Sequence, residues 1–163
     1  MIILGIDPGL ATIGYGVIKK NNRGIEVIDY GTIDTPKTER IATRLAMIYD
    51  AMKVLIDKFQ PDCVAIEELF YFRNQTTIIP VGQARGVIVL ACVQKLGNLY
   101  EYTPLQIKQA LTGNGRAEKK QVQYMVKTIL GLSSIPKPDD AADALAVAIT
   151  HSQTNNTISN NQI

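Results

Sequence analysis

Apolar residues fall along this chain in two rhythms. From Met1 to Asp34 short apolar runs, Met1–Asp7, Gly14–Lys19 and Glu26–Asp34, alternate with turn residues. Pro8, Gly9, Gly14, Asn21, Asn22 and Gly24 punctuate them, which predicts three strands joined by tight turns as an antiparallel meander. The rhythm then changes. Ile41, Leu45, Ile48, Met52, Leu55 and Phe59 recur at spacings of four and three. That is one apolar stripe on a long helix, and Pro61 ends it.

The run DCVAIE, Asp62–Glu67, is short, apolar and closed by a carboxylate, so it reads as a fourth strand. A second helix is expected over residues 76–96, with Pro80 tolerated in its first turn. Leu99–Thr103 reads as a fifth strand, and Pro104 opens a short helix. After the loop TGNGRAE comes a helix whose core face is Val122, Met125, Val126, Ile129 and Leu130. Pro136 and Pro138 precede a last helix, Asp139–Ser152. Residues 1–152 should form one domain, and the polar tail 153–163 should be disordered. Strands separated by helices need parallel, right-handed crossovers. The expected class is therefore α/β: a mixed five-stranded sheet, strands one to three antiparallel and four and five parallel, with helices on both faces. This element order resembles the RNase H-like fold.

Composition narrows the picture. The chain has 163 residues, 46% hydrophobic and 20% charged, enough for a globular core without disulfides. Cys63 and Cys92 lie in apolar segments and read as buried thiols of a reducing compartment. With a single histidine and no clustered spacing they argue against zinc. The start, MIILGIDPGL, meets an acid at residue 7 without a basic flank, unlike a signal peptide. No apolar run approaches the ~18 residues of a membrane span, so a cytoplasmic location without membrane contact is expected. The net charge is only +2, but Arg85–Lys127 carries seven basic and two acidic residues. Such a stretch suits a polyanion, and equally makes a solvated basic face.

The candidate chemistry lies in carboxylates at element ends. Asp7 closes the first strand and Glu67 the fourth; Asp140 and Asp143 share one face at the start of the last helix. Read singly, Asp7 before Pro-Gly is a turn acid, Glu67 a solvated strand end, and Asp140 and Asp143 helix-start acids. Read together, four converging carboxylates stay ionised only around a divalent cation, and all-oxygen donors suit Mg²⁺ or Mn²⁺. Two such ions can activate water for phosphodiester hydrolysis. GNGRAEKK lacks P-loop spacing. GIDPGL resembles the phosphate loop of actin-like ATPases, which need two such domains. His151 reads as a surface residue at a helix end.

The blocks GIDPGLATIGYGV, AIEELF, GQARGV and DDAADALAVAITH, in that order, resemble the signatures of the RuvC family of Holliday-junction resolvases across residues 1–152. The resemblance implies an RNase H-like homodimer that makes paired nicks in four-way DNA junctions during recombination and repair. It implies Mg²⁺, with two ions per subunit and Mn²⁺ as a substitute. It maps catalytic and metal-binding roles onto Asp7, Glu67, Asp140 and Asp143, and an aromatic that engages the junction centre onto Phe70. DNA-contacting lysines map onto Lys108 and Lys119; Arg85, heading the basic stretch, is added as a DNA contact. A junction-binding protein and a branch-migration helicase are implied as partners. Asp139 adds an acid beside Asp140, whose A-A-D spacing favours Asp140; strand alternation favours Glu67 over Glu68. The second helix, with Gly82, Ala84 and Gly86 among surplus apolar residues, is the expected dimer interface. A binding module of the same fold that grips branched DNA without cutting it is the rival reading.

Overall fold

The computed structural model describes residues 1–69, 75–154 and 161–163. The meander forms as β1 (Ile2–Asp7), β2 (Thr12–Asn21) and β3 (Gly24–Asp34), paired antiparallel in sequence. β2 begins before Gly14, which lies inside the strand opposite Asp7 instead of in the expected turn. The helix α1 (Ile41–Phe59) turns its Ile48, Met52 and Leu55 stripe to the sheet. It stops where Gln60 adopts a left-handed φ of 45° and donates its N–H to the Ile56 carbonyl at 2.9 Å. The chain then enters β4 (Cys63–Glu67), parallel to β1. The helix α2 (Gln75–Lys95) leads to β5 (Leu99–Tyr102), parallel to β4. The sheet order is β3-β2-β1-β4-β5, with β1 at the centre.

Strand alternation divides the core in two. Leu4, Ile6, Val64 and Ile66 pack against α1 and α2. Ile3, Ala65 and Tyr102 face the other layer: α3 (Pro104–Thr112), α4 (Lys119–Ile129) and α5 (Asp139–Gln153). Helices cover both faces, as expected.

The helix α5 has no polar stripe. From Ala141 to Ser152 every residue except Asp143 is buried. It lies directly on the sheet because β1 and β2 present glycines beneath it. A Cβ on Gly5 would stand 2.2 Å from the Ala144 carbonyl oxygen, and one on Gly14 would stand 1.9 Å from that of Asp140. His151 is accordingly not at the surface. Its Nδ1 lies 2.8 Å from the Tyr102 hydroxyl and its Nε2 3.2 Å from Cys63 Sγ. Burial, assisted by the charge of Lys20, lowers its pKa and keeps the ring neutral. Cys63 and Cys92 are both free and buried.

The chain end reaches the free edge of β5. Gln162 bridges to Tyr100, and the Ile163 N–H donates to the Leu99 carbonyl at 3.0 Å. Residues 155–160 of the expected tail lie outside the described residues. On the opposite layer, α2 is more apolar than its run lengths suggest. Ile78–Lys95 has a mean hydropathy of 1.2, enough by length and composition for a membrane span, yet only 22% of it is buried. Its buried face, Ala84, Ile88, Ala91 and Cys92, packs on the sheet.

Candidate active site

The site forms at the carboxyl ends of the two central parallel strands, where open α/β sheets hold their ligands. Asp7 follows Ile3 and Gly5 on the α5 side of β1; Glu67 follows Cys63 and Ala65 on the same side of β4. Because Ile6 pairs with Ile66, these acids end neighbouring strands, which run about 5 Å apart. Glu68 falls on the opposite phase, and its N–H donates to the Tyr102 carbonyl at 2.9 Å. Gly14 lets the first turn of α5 descend onto β2, opposite Asp7. That descent brings Asp140 and Asp143 into the group.

Electrostatics shows the convergence. Burial pushes the pKa of Asp7 to about 8, aided by the charges of Glu67, Asp143 and Asp140 and opposed by Lys119. Burial also raises Glu67 to about 7, with Asp143 adding and Lys119 and Lys108 opposing. Asp143 is raised by burial against the hydrogen bond and charge of Lys119. Asp139 has no part in the Asp7 interaction. It accepts from Lys137 Nζ at 2.6 Å, which lowers its pKa. Of the two adjacent acids, Asp140 is therefore the member of the cluster.

The lysines are placed by capped helices. Thr103 and Gln106 exchange backbone hydrogen bonds at the start of α3, which carries Lys108. Glu118 and Gln121 do the same for α4, which opens with Lys119. Lys119 Nζ lies 2.7 Å from Asp143 and 3.9 Å from Asp139. Burial would lower its pKa, but the hydrogen bond and charge of Asp143 outweigh it and raise it. Glu67, Lys108, Lys119 and Asp143 line one cleft of about 260 Å³ with the apolar Ile107 and Val122.

The donor set is hard, all-oxygen and short of positive charge, the chemistry that suits a divalent cation. Among the described residues no three acidic, histidine or cysteine side chains already enclose one point at ligand distance. Lys119 instead neutralises part of the cluster through Asp143. The carboxylates fit an ion chemically, and its charge would relieve the repulsion that holds Asp7 near 8.

Other expected contacts separate. Arg85 lies on α2, across the sheet from the carboxylates, paired with Glu101 of β5. Lys95 pairs with Asp57 at 2.8 Å on the same layer. The basic stretch from Arg85 to Lys127 is thus no single face: helix and strand place its members on opposite sides of the sheet. Phe70 lies outside the described residues. The glycines beneath α5, which seat the site, were not legible as such; their one signal was glycine inside an otherwise strand-like run.

A mixed sheet of this order, with acids at the ends of β1 and β4 and on the first turn of α5, defines an RNase H-like metal-dependent nuclease. The family model for crossover junction endodeoxyribonuclease RuvC matches residues 3–151, and the chain belongs to that family. The crossover junction endodeoxyribonuclease RuvC of Caldicellulosiruptor saccharolyticus is 56% identical over 152 residues, covering 93% of this chain and 92% of that one. Thermus thermophilus RuvC superposes with a TM-score of 0.84 at 36% identity, over 93% of each chain. The same protein in complex with Holliday junction substrate gives 0.83 at 35% identity, over 93% of this chain and 92% of that one.

Proposed function

We propose that this chain resolves four-way DNA junctions by hydrolysing phosphodiesters at Asp7, Glu67, Asp140 and Asp143. The observation that carries the reading is the mutual charge repulsion of these buried carboxylates on one sheet end, beside Lys108 and Lys119. Asp7, Glu67, Asp140 and Asp143 would hold Mg²⁺, two ions per subunit, with Mn²⁺ as a substitute. Bound there, such ions supply an activated water and stabilise the leaving oxygen. Lys119 orients Asp143 through its 2.7 Å bond, and Lys108 adds positive charge to the cleft wall that receives the phosphate backbone. Phe70, next to this cleft in sequence, is the aromatic assigned to the junction centre.

An open four-way junction is close to two-fold symmetric, and two cuts need two sites related by the same symmetry. A homodimer supplies them. Its interface is the outer face of α2, where Ile79, Leu90 and Val93 are exposed and a Cβ on Gly82 or Gly86 would meet nothing within 4 Å. That surplus apolar surface suits a second protein copy. A junction-binding protein and a branch-migration helicase act beside it, in the cytoplasm.

The deciding experiment incubates a labelled four-way junction with the protein and Mg²⁺, then with EDTA. Paired nicks with Mg²⁺ and none with EDTA are expected. Asp7→Asn should abolish nicking yet still shift the junction in a gel. Cleavage by that variant at the wild-type rate overturns the assignment. Binding without cleavage by the wild type leaves a junction-gripping module instead.

A further inference from the structure

A second cleft reaches the same carboxylates from the β1–β2 turn. Gly9, Leu10, Thr12, Lys37, Arg44 and Asp140 line it, with a volume of about 650 Å³. It shares no lining residue with the cleft of Lys108 and Lys119. Each cleft nevertheless takes one carboxylate of α5: Asp143 in the first, Asp140 in the second.

The arginine in this second cleft is built in. Thr35, 4% exposed, donates its hydroxyl to the Leu10 carbonyl at 2.5 Å and accepts from Arg44 Nε at 2.9 Å. The Thr35 N–H also donates to the Ala11 carbonyl, at 2.9 Å. A chain of hydrogen bonds therefore ties the guanidinium to the turn that follows Asp7. Its terminal N–H groups remain for a ligand, since Nε is already used. Among the described residues no carboxylate lies within ion-pair distance of Arg44 or Lys37. Asp34, the acid at the end of neighbouring β3, accepts instead from the Thr12 and Thr32 hydroxyls, at 2.9 and 3.0 Å.

A positioned guanidinium and a mobile ammonium without a counter-ion, at the border of a nuclease site, match one ligand chemistry: a phosphodiester oxyanion. The planar fork supplies directed hydrogen bonds, and the lysine supplies a point charge. We propose that Lys37 and Arg44 bind a backbone phosphate flanking the one that is cut. The cleaved strand is then held from two clefts, by Lys108 and Lys119 in one and by Lys37 and Arg44 in the other. This inference rests on the nuclease reading above.

The test measures binding to a four-way junction against salt for wild type, Lys37→Gln and the double variant Lys37→Gln/Arg44→Gln. The slope of log K against log salt should fall by about one unit in the first variant and about two in the second. A neutral methylphosphonate in place of one phosphate beside the cut should weaken wild-type binding at one position. The double variant should be indifferent at that position. Unchanged slopes, or a methylphosphonate penalty that persists in the double variant, overturn the proposal. If loss of the Arg44–Thr35 bond unfolds the double variant, exposed Lys37 alone decides through its own slope and methylphosphonate response. A wild type that neither binds nor cuts junctions sinks the nuclease reading itself; one that does both while the variants match it sinks only the phosphate anchor.

Discussion

A carboxylate that closes an apolar strand is conspicuous, because burying it unpaired is costly. Asp7 and Glu67 were legible for that reason, and alternation chose Glu67 over Glu68. Asp140 was separable from Asp139 only provisionally by spacing; the structure decides it by giving Asp139 to Lys137. His151 was misplaced because a lone histidine near a helix end carries no mark of burial. The raised pKa values make a stability prediction for the metal-free protein. Asp7 and Glu67 titrate at about 8 and 7 in the fold, against 3.8 and 4.5 unperturbed. The folded state thus binds more protons than the unfolded chain between those values. Their stabilising contribution is complete below the unfolded values and is lost as pH rises through the folded ones. In EDTA the melting temperature should fall between about pH 5 and about pH 9, and fall less in Asp7→Asn. Mg²⁺ should restore more of it at the alkaline end. A wild-type profile that follows the Asp7→Asn profile throughout rejects this coupling.

Among the elements, α1 was plain from its spacing of four and three, whereas α5 was legible as a helix but not as the central one. A helix apolar on all sides gives no stripe to say which face meets the sheet. The answer lies in other elements, in Gly5 of β1 and Gly14 of β2, whose missing side chains leave room for its backbone. Gly14 was read as a turn because glycine most often marks one; close backbone approach is the rarer cause. Gly14→Ala would set a methyl 1.9 Å from the Asp140 carbonyl oxygen, so the first turn of α5 must lift. Overpacking of this kind costs about 1–3 kcal/mol. A displacement near 1 Å at a reacting centre can cost roughly a hundredfold in rate. Junction cleavage should therefore fall far more than junction binding, and chemical denaturation should show the stability loss. Unimpaired cleavage by Gly14→Ala would mean that α5 is not seated by this contact.

At the scale of the whole molecule, the sheet order and two-layer cover followed from the alternation of strands and helices. The separation of Arg85 from Lys119 did not, since a linear charge count ignores which side of a sheet each residue meets. Assembly gives the remaining prediction. Gly82 lies on the open face of α2, so Gly82→Arg should leave the fold intact while blocking a second copy. Sedimentation should show wild type near twice 17.9 kDa and the variant near 17.9 kDa, nicking poorly and without paired cuts. A variant that stays dimeric places the interface elsewhere. The seating of α5 on β1 also bears on how the enzyme is made. Asp7 belongs to the first strand to leave the ribosome and Asp140 to the last helix. A chain halted before residue 139 carries Asp7 and Glu67 but neither acid of α5, and its glycine-floored groove lies bare. Translation itself therefore acts as the safety catch: DNA is out of danger from every nascent copy until the final helix is written.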